Sequence, residues 1–170
     1  DGYNMDFILK TTNSNLNDLF TAFPPKFITW LDKTDLKGKT DFLLTLKGNY
    51  IASENVAPAL NLDLKIRDGF VNYNKSTTPV TNLNLDFATK LPSLNPDLLI
   101  VDLKNLSLNI GKDYLKAKIY RTGTTIPELD AELDAKIDLA KLTQTIGIPD
   151  LELKGMLIAN AKAKNIEWAI

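Results

Sequence analysis

Apolar and polar residues alternate with a period of two over most of the chain. From Glu128 the sequence runs Glu-Leu-Asp-Ala-Glu-Leu-Asp-Ala-Lys-Ile-Asp-Leu. Leu129, Ala131, Leu133, Ala135, Ile137 and Leu139 therefore share one face of an extended segment, and Glu128, Asp130, Glu132, Asp134, Lys136 and Asp138 the other. Ala, Glu, Leu and Lys favour helix on propensity, but a helix would scatter these leucines around its circumference, so the period predicts a strand. The pattern recurs. Leu60, Leu62, Leu64 and Ile66 alternate with Asn61, Asp63, Lys65 and Arg67; Leu83, Leu85 and Phe87 alternate with Asn82, Asn84 and Asp86. Leu115, Ala117 and Ile119 alternate with Lys116, Lys118 and Tyr120, and Phe42, Leu44 and Leu46 do so less cleanly. Leu99, Val101 and Leu103 continue as Leu106, Leu108 and Ile110 with a one-residue slip at Lys104-Asn105, which predicts a turn or bulge there.

The runs are separated by Lys47-Gly48-Asn49, Asp68-Gly69, Thr78-Pro79, Pro92 to Pro96, Gly111-Lys112-Asp113 and Thr122-Gly123. Connections this short hold no crossover helix, so neighbouring strands should be antiparallel. Asp68-Gly69 has the composition of a two-residue hairpin turn. Two stretches leave the period of two. Leu16, Leu19, Phe20 and Phe23 follow helical spacing behind Asn15 as N-cap, and Pro24-Pro25 ends that turn and starts another with Phe27, Ile28 and Leu31 inward. Asp138 to Ile146 reads as a short helix with Leu139 and Leu142 inward, stopped by Gly147 and Pro149. The prediction is a mainly β fold with short helices: a curved antiparallel sheet, half open like a trough, capped by helices at roughly 15–33 and 138–146. A closed β-sandwich or barrel would satisfy the same alternation.

Composition removes several chemistries. The 170 residues contain no Cys and no His, and 20 Lys+Arg balance 21 Asp+Glu to a net charge of -1. There is no thiol nucleophile, Ser-His-Asp relay, disulfide or Cys/His metal set to build from these residues. The balance of charge argues against nucleic acid as a partner. The acidic row Glu128, Asp130, Glu132, Asp134 has carboxylates about 7 Å apart along one strand face, a spacing that suits solvated charge opposite Lys116 and Lys118 better than a metal or acid/base pair. Lys37, Lys39 and Lys47 read as protection of a sheet edge. The aromatics Phe20, Phe23, Phe27 and Trp30 cluster in the first helical segment, as a plug for one end of the sheet.

Leu36-Lys37-Gly38-Lys39 and Leu153-Lys154-Gly155-Met156 each follow a helical segment and open an alternating run, 117 positions apart (153 minus 36). This repeat divides the chain into the helical end of one unit (1–34), a main antiparallel unit (35–147) and the first strand of a following unit (148–170), as in a fragment of a larger protein.

Three segments in order, Asp68-Gly69-Phe70-Val71-Asn72-Tyr73, Thr78-Pro79-Val80-Thr81-Asn82-Leu83-Asn84-Leu85 and Ile137-Asp138-Leu139-Ala140-Lys141-Leu142, resemble the AsmA family of bacterial envelope proteins, which is related to TamB and the bridge-like lipid-transfer proteins. The resemblance spans roughly residues 35 to 165. It implies a strand that ends in an Asp-Gly-x-x-x-Tyr turn, and a non-enzymatic periplasmic module in phospholipid transport or outer-membrane assembly. It also implies a parent anchored in the inner membrane by an N-terminal helix, adjoining units of the same protein as partners, and no cofactor or metal. The groove it implies is lined by Leu60, Leu62, Leu64, Leu83, Leu85, Phe87, Leu133 and Ala135 and takes phospholipid or acyl chains. A face of medium aliphatics suits acyl chains, which need apolar area at about 25 cal/mol per Å² and no hydrogen bonds. The competing reading is a structural or adhesive β-sandwich that contacts proteins through its edge strands.

Overall fold

A computed structural model describes residues 2–21, 34–123, 128–146 and 151–167. Eight strands, β1 (Tyr3–Asn15), β2 (Thr34–Tyr50), β3 (Ala59–Tyr73), β4 (Val80–Leu91), β5 (Ile100–Ile110), β6 (Asp113–Thr122), β7 (Glu128–Asp138) and β8 (Met156–Glu167), form one sheet in sequence order, each antiparallel to the next. β1 and β8 lie at opposite edges and do not pair with each other, so the sheet is open, neither barrel nor sandwich. Helix α1 (Leu16–Thr21) joins β1 to β2, and helix α2 (Leu139–Ile146) leads from β7 towards β8. Both lie at the same end of the sheet, hereafter the helix end; the opposite end, where β2, β4 and β6 finish, is the loop end.

Register places the alternating apolar residues on one continuous face. Phe42, Leu64, Phe87, Leu103, Ile119, Ala131 and Ala163 follow one another across seven strands, and Ile66, Leu85, Leu106, Ala117, Leu133 and Ala161 make the next row. The charged partners fall on the reverse face. Lys118 meets Glu132 at 3.4 Å, and Glu132 also pairs with Lys162 on β8, so the acidic row of β7 lies on the charged side beside lysines, as its spacing indicates.

Bulges crease this sheet. Registers slip beside Asn13 in β1, Gly38 in β2, Asp68-Gly69 in β3, Asn82 in β4 and Lys104-Asn105 in β5. The last is the phase slip read from the sequence. A bulge adds one unpaired residue and increases local twist and bending, so a line of them curves the sheet. The crease is tight: a Cβ on Gly38, whose φ is +126°, would sit 2.9 Å from the Arg67 carbonyl and 2.9 Å from Gly69 Cα. A Cβ on Gly69 would meet Leu83 Cβ at 2.9 Å.

Three sequence expectations are corrected here. Asp68-Gly69 is a bulge inside β3, which runs on to Tyr73, and not a hairpin turn or a strand end. The two-residue hairpin is Gly111-Lys112, where Ile110 pairs with Asp113 and Gly111 has φ +60°. Lys47-Gly48-Asn49 lies within β2. Lys37, Lys39 and Lys47 guard no edge, because β2 is paired on both sides; Lys37 pairs with Asp35 and Lys47 with Asp6, while Lys39 donates to Asn15.

The two Leu-Lys-Gly segments differ in setting: Leu36-Lys37-Gly38 lies inside β2 with Leu36 buried, whereas Leu153-Lys154-Gly155 precedes β8 with Leu153 exposed. Each follows a helix that connects antiparallel neighbours, and both glycines, Gly38 and Gly155, have positive φ. Leu16 and Leu19 are buried in α1, as their spacing predicts. Phe23, Pro24, Phe27 and Trp30 lie outside the described residues.

Candidate functional site

The candidate site is the apolar face, and its two ends differ. At the helix end α2 lies across the face. An eight-residue helix is about 12 Å long, and β3 and β7 stand four strand spacings, about 19 Å, apart in a flat sheet. Yet α2 contacts both. Asp138 caps it, accepting from the Ala140 and Lys141 amides at 2.9 and 3.4 Å. Beneath it Val80, Ile110, Ala135 and Ile137 form a closed cluster, with Leu139 and Leu142 of the helix packed against it.

Polar groups fasten this cover. Thr145, fully buried, donates to the Thr78 carbonyl at 2.9 Å and accepts from Ser76 Oγ at 3.1 Å. Asp113 pairs with Lys141 at 3.2 Å. The hydroxyls and charges at this seam satisfy one another, which is what burial of polar groups requires.

Towards the loop end no α-helix or second sheet among the described residues lies over the face; the turn at Pro92–Leu94 touches β3 there, and Pro58 is fully buried. Leu44, Leu46, Leu60, Leu62 and Leu64 are half-buried, shielded at their flanks by neighbouring strands. On the edge strand Phe7 and Leu9 are 52% and 39% exposed.

The eight residues expected to line a groove all lie on this face. Leu64 pairs with Phe87, and Leu85 with Ile66. Leu60, Leu62, Leu64, Leu85 and Phe87 belong to the uncovered part and are half-buried. Leu83, Leu133 and Ala135 belong to the covered part: the first two pack against the closed cluster, and Ala135 is 1% exposed within it. Ala135 is thus a core residue. Two threonines that interrupt the face bond to backbone, Thr40 to the Lys65 carbonyl and Thr89 to that of Ile100, whereas Thr11, beside Phe42 on β1, keeps a buried hydroxyl with no hydrogen-bond partner among the described residues.

Arg121 is the residue that the sequence reading missed. It continues the alternation of Leu115, Ala117 and Ile119 by one more step, onto the apolar face near the loop end, where Val101 and Leu129 are its register neighbours.

The reverse face is a solvated charge lattice. Asp41 holds Arg67 through two hydrogen bonds of 2.5 and 3.2 Å; that guanidinium, helped by the Asn13 amide, lowers the Asp41 carboxyl to about 2. Lys162 and Lys118 lower Glu132, and the hydrogen bond to Asp134 raises the Tyr114 hydroxyl. Two shallow depressions of about 350 and 290 Å³ lie between these side chains on β5 to β8. Among their lining charges Lys118 and Lys162 pair with Glu132 and Lys104 with Asp102. Among the described residues no group of acidic side chains has the geometry to hold a metal ion, and no helix is long and apolar enough to cross a membrane.

Compared with family models, with curated proteins and with solved structures, the chain matches none of them.

Proposed function

We propose that the chain is a lipid-handling module: its uncovered apolar face takes phospholipid or acyl chains, in phospholipid transport or envelope assembly. The observation that carries this is the absence, among the described residues, of a second layer over the loop-end part of a face that is apolar across eight strands. A sheet face of this kind is ordinarily buried against another layer. Leu44, Leu62, Leu64 and Phe87 instead leave apolar area that an acyl chain would remove from water. In this reading the parent protein works in the periplasm, tethered to the inner membrane, without catalysis. The edges of β1 and β8, unpaired among the described residues, meet adjoining units of the same protein, so that the face extends.

Native mass spectrometry of the purified chain incubated with phosphatidylethanolamine tests the proposal. Phospholipid adducts are expected, and Leu62→Glu should remove them while far-ultraviolet circular dichroism stays unchanged. No adduct, or adducts indifferent to Leu62→Glu, would overturn it.

The free edges also favour a second reading, an interaction domain that binds proteins by strand addition. Concentration-dependent self-association that Ile8→Lys in β1 abolishes, with no lipid bound, would select it.

A further inference from the structure

The distribution of charge between the two faces points to a more specific ligand. The cations of the described strands other than Arg121 occupy the reverse face or a bulge: Lys65 with Asp86, Arg67 with Asp41, Lys118 and Lys162 with Glu132, and Lys104 in the β5 bulge beside Asp102. Among the described residues the apolar face carries two charges, Asp113 and Arg121, at opposite ends of β6. Asp113 is neutralised by Lys141. Arg121 is half-buried and has no carboxylate or hydrogen-bond partner among the described residues. Its row across the sheet is Thr89, Val101, Arg121 and Leu129, which offers no counter-charge.

A guanidinium in such surroundings loses hydration without regaining it in a pair. It presents a planar fork of donors that matches a carboxylate or phosphate. The strand end that holds it is fixed by the Gly123 amide donating to the Leu99 carbonyl at 2.9 Å.

Distance fits as well. From Arg121 to Leu115, where α2 closes the cluster, β6 spans about 20 Å of apolar face. One acyl chain spans half the hydrocarbon core of a bilayer, about 15 Å.

We infer that Arg121 anchors the anionic headgroup of a lipid whose chain lies along the uncovered face toward the plug formed by α2. This rests on the proposed lipid-handling role and narrows it to amphiphiles with an anionic oxygen headgroup, carboxylate or phosphate.

The test is titration of the full chain with oleate, oleoyl lysophosphatidic acid and the neutral monoolein, which share one acyl chain. Wild type should bind at least one of the two anionic ligands about tenfold more tightly than monoolein, the contribution of one charge-assisted contact. The tighter of the two identifies the headgroup as carboxylate or phosphate. Arg121→Gln should bring that ligand down to the affinity of monoolein, leaving monoolein unchanged. Arg121→Lys should keep part of the preference, and Lys118→Gln on the reverse face all of it. If wild type binds all three ligands equally, or Arg121→Gln weakens all three in parallel, the anchor is wrong and the groove stands. If none binds wild type, the lipid-handling reading itself falls.

Discussion

The two ends of one apolar face show how differently the same alternation can be used. At the helix end Ile137 and Ile110 are 0% and 1% exposed; toward the loop end Leu60, Leu62 and Leu64, on equally regular strands, stay half-buried. Hydrophobicity does not separate them. The difference is α2, which supplies a second layer over one end only, fastened by Thr145 and the Asp113–Lys141 pair. A period of two marks a face that prefers to leave water, and a covering element decides whether that face becomes core or surface.

Substitutions that treat the ends as equivalent give the largest contrast. Ile137→Ala should cost about 2–5 kcal/mol, the loss of a fully buried side chain plus its cavity. Leu62→Ala should cost less, about 1–2 kcal/mol, since part of its area stays in water and the open face leaves no closed cavity. Urea denaturation of both variants checks this, and equal shifts in midpoint would erase the distinction. A smaller effect isolates the cover. Thr145→Val leaves the shape and removes the hydroxyl that joins α2 to the turn before β4, at about 1–3 kcal/mol. Amide hydrogen exchange should then rise in α2 and its cluster, while the loop-end strands keep their protection.

The smallest effect belongs to the charged face. The folded Asp41 carboxyl, at about 2 against an ordinary 3.8, favours the folded state above roughly pH 4, and that contribution fades as pH falls toward 2. Arg67 keeps its charge throughout this window. Asp41→Asn should therefore flatten the pH dependence of the thermal midpoint between pH 5 and 2 relative to wild type, with no change in lipid binding on the other face.

Much of this was legible in the residues. The strands announced themselves because side-chain direction alternates along any extended backbone, so Leu60 to Ile66 and Leu129 to Ile137 could be assigned a face without a partner strand. The slip at Lys104-Asn105 was legible for the same reason. Asp68-Gly69 was not. Glycine at a bulge and glycine at a turn answer the same local demand for unusual dihedrals, and only the passage of β4 alongside β3 shows that the strand continues. Arg121 was missed because one charged residue at the end of a run reads as the run's end; the partners Val101 and Leu129 show that it belongs to the face.

Sequence alone determined the class of the fold, the antiparallel order and the division into an apolar and a charged side, because all three follow from local periodicity and short connections. Tertiary structure decided the rest. That β1 and β8 never meet depends on the summed bending at bulges in several strands, and no single segment encodes that sum. That α2 closes the cluster near Ile137 and leaves Leu44, Leu62 and Phe87 open depends on where one short helix lands, against the turn before β4: Thr145 bonds to Thr78, with a sequence separation of 67. Alternation selects which side chains seek cover; contacts between distant segments determine which of them obtain it.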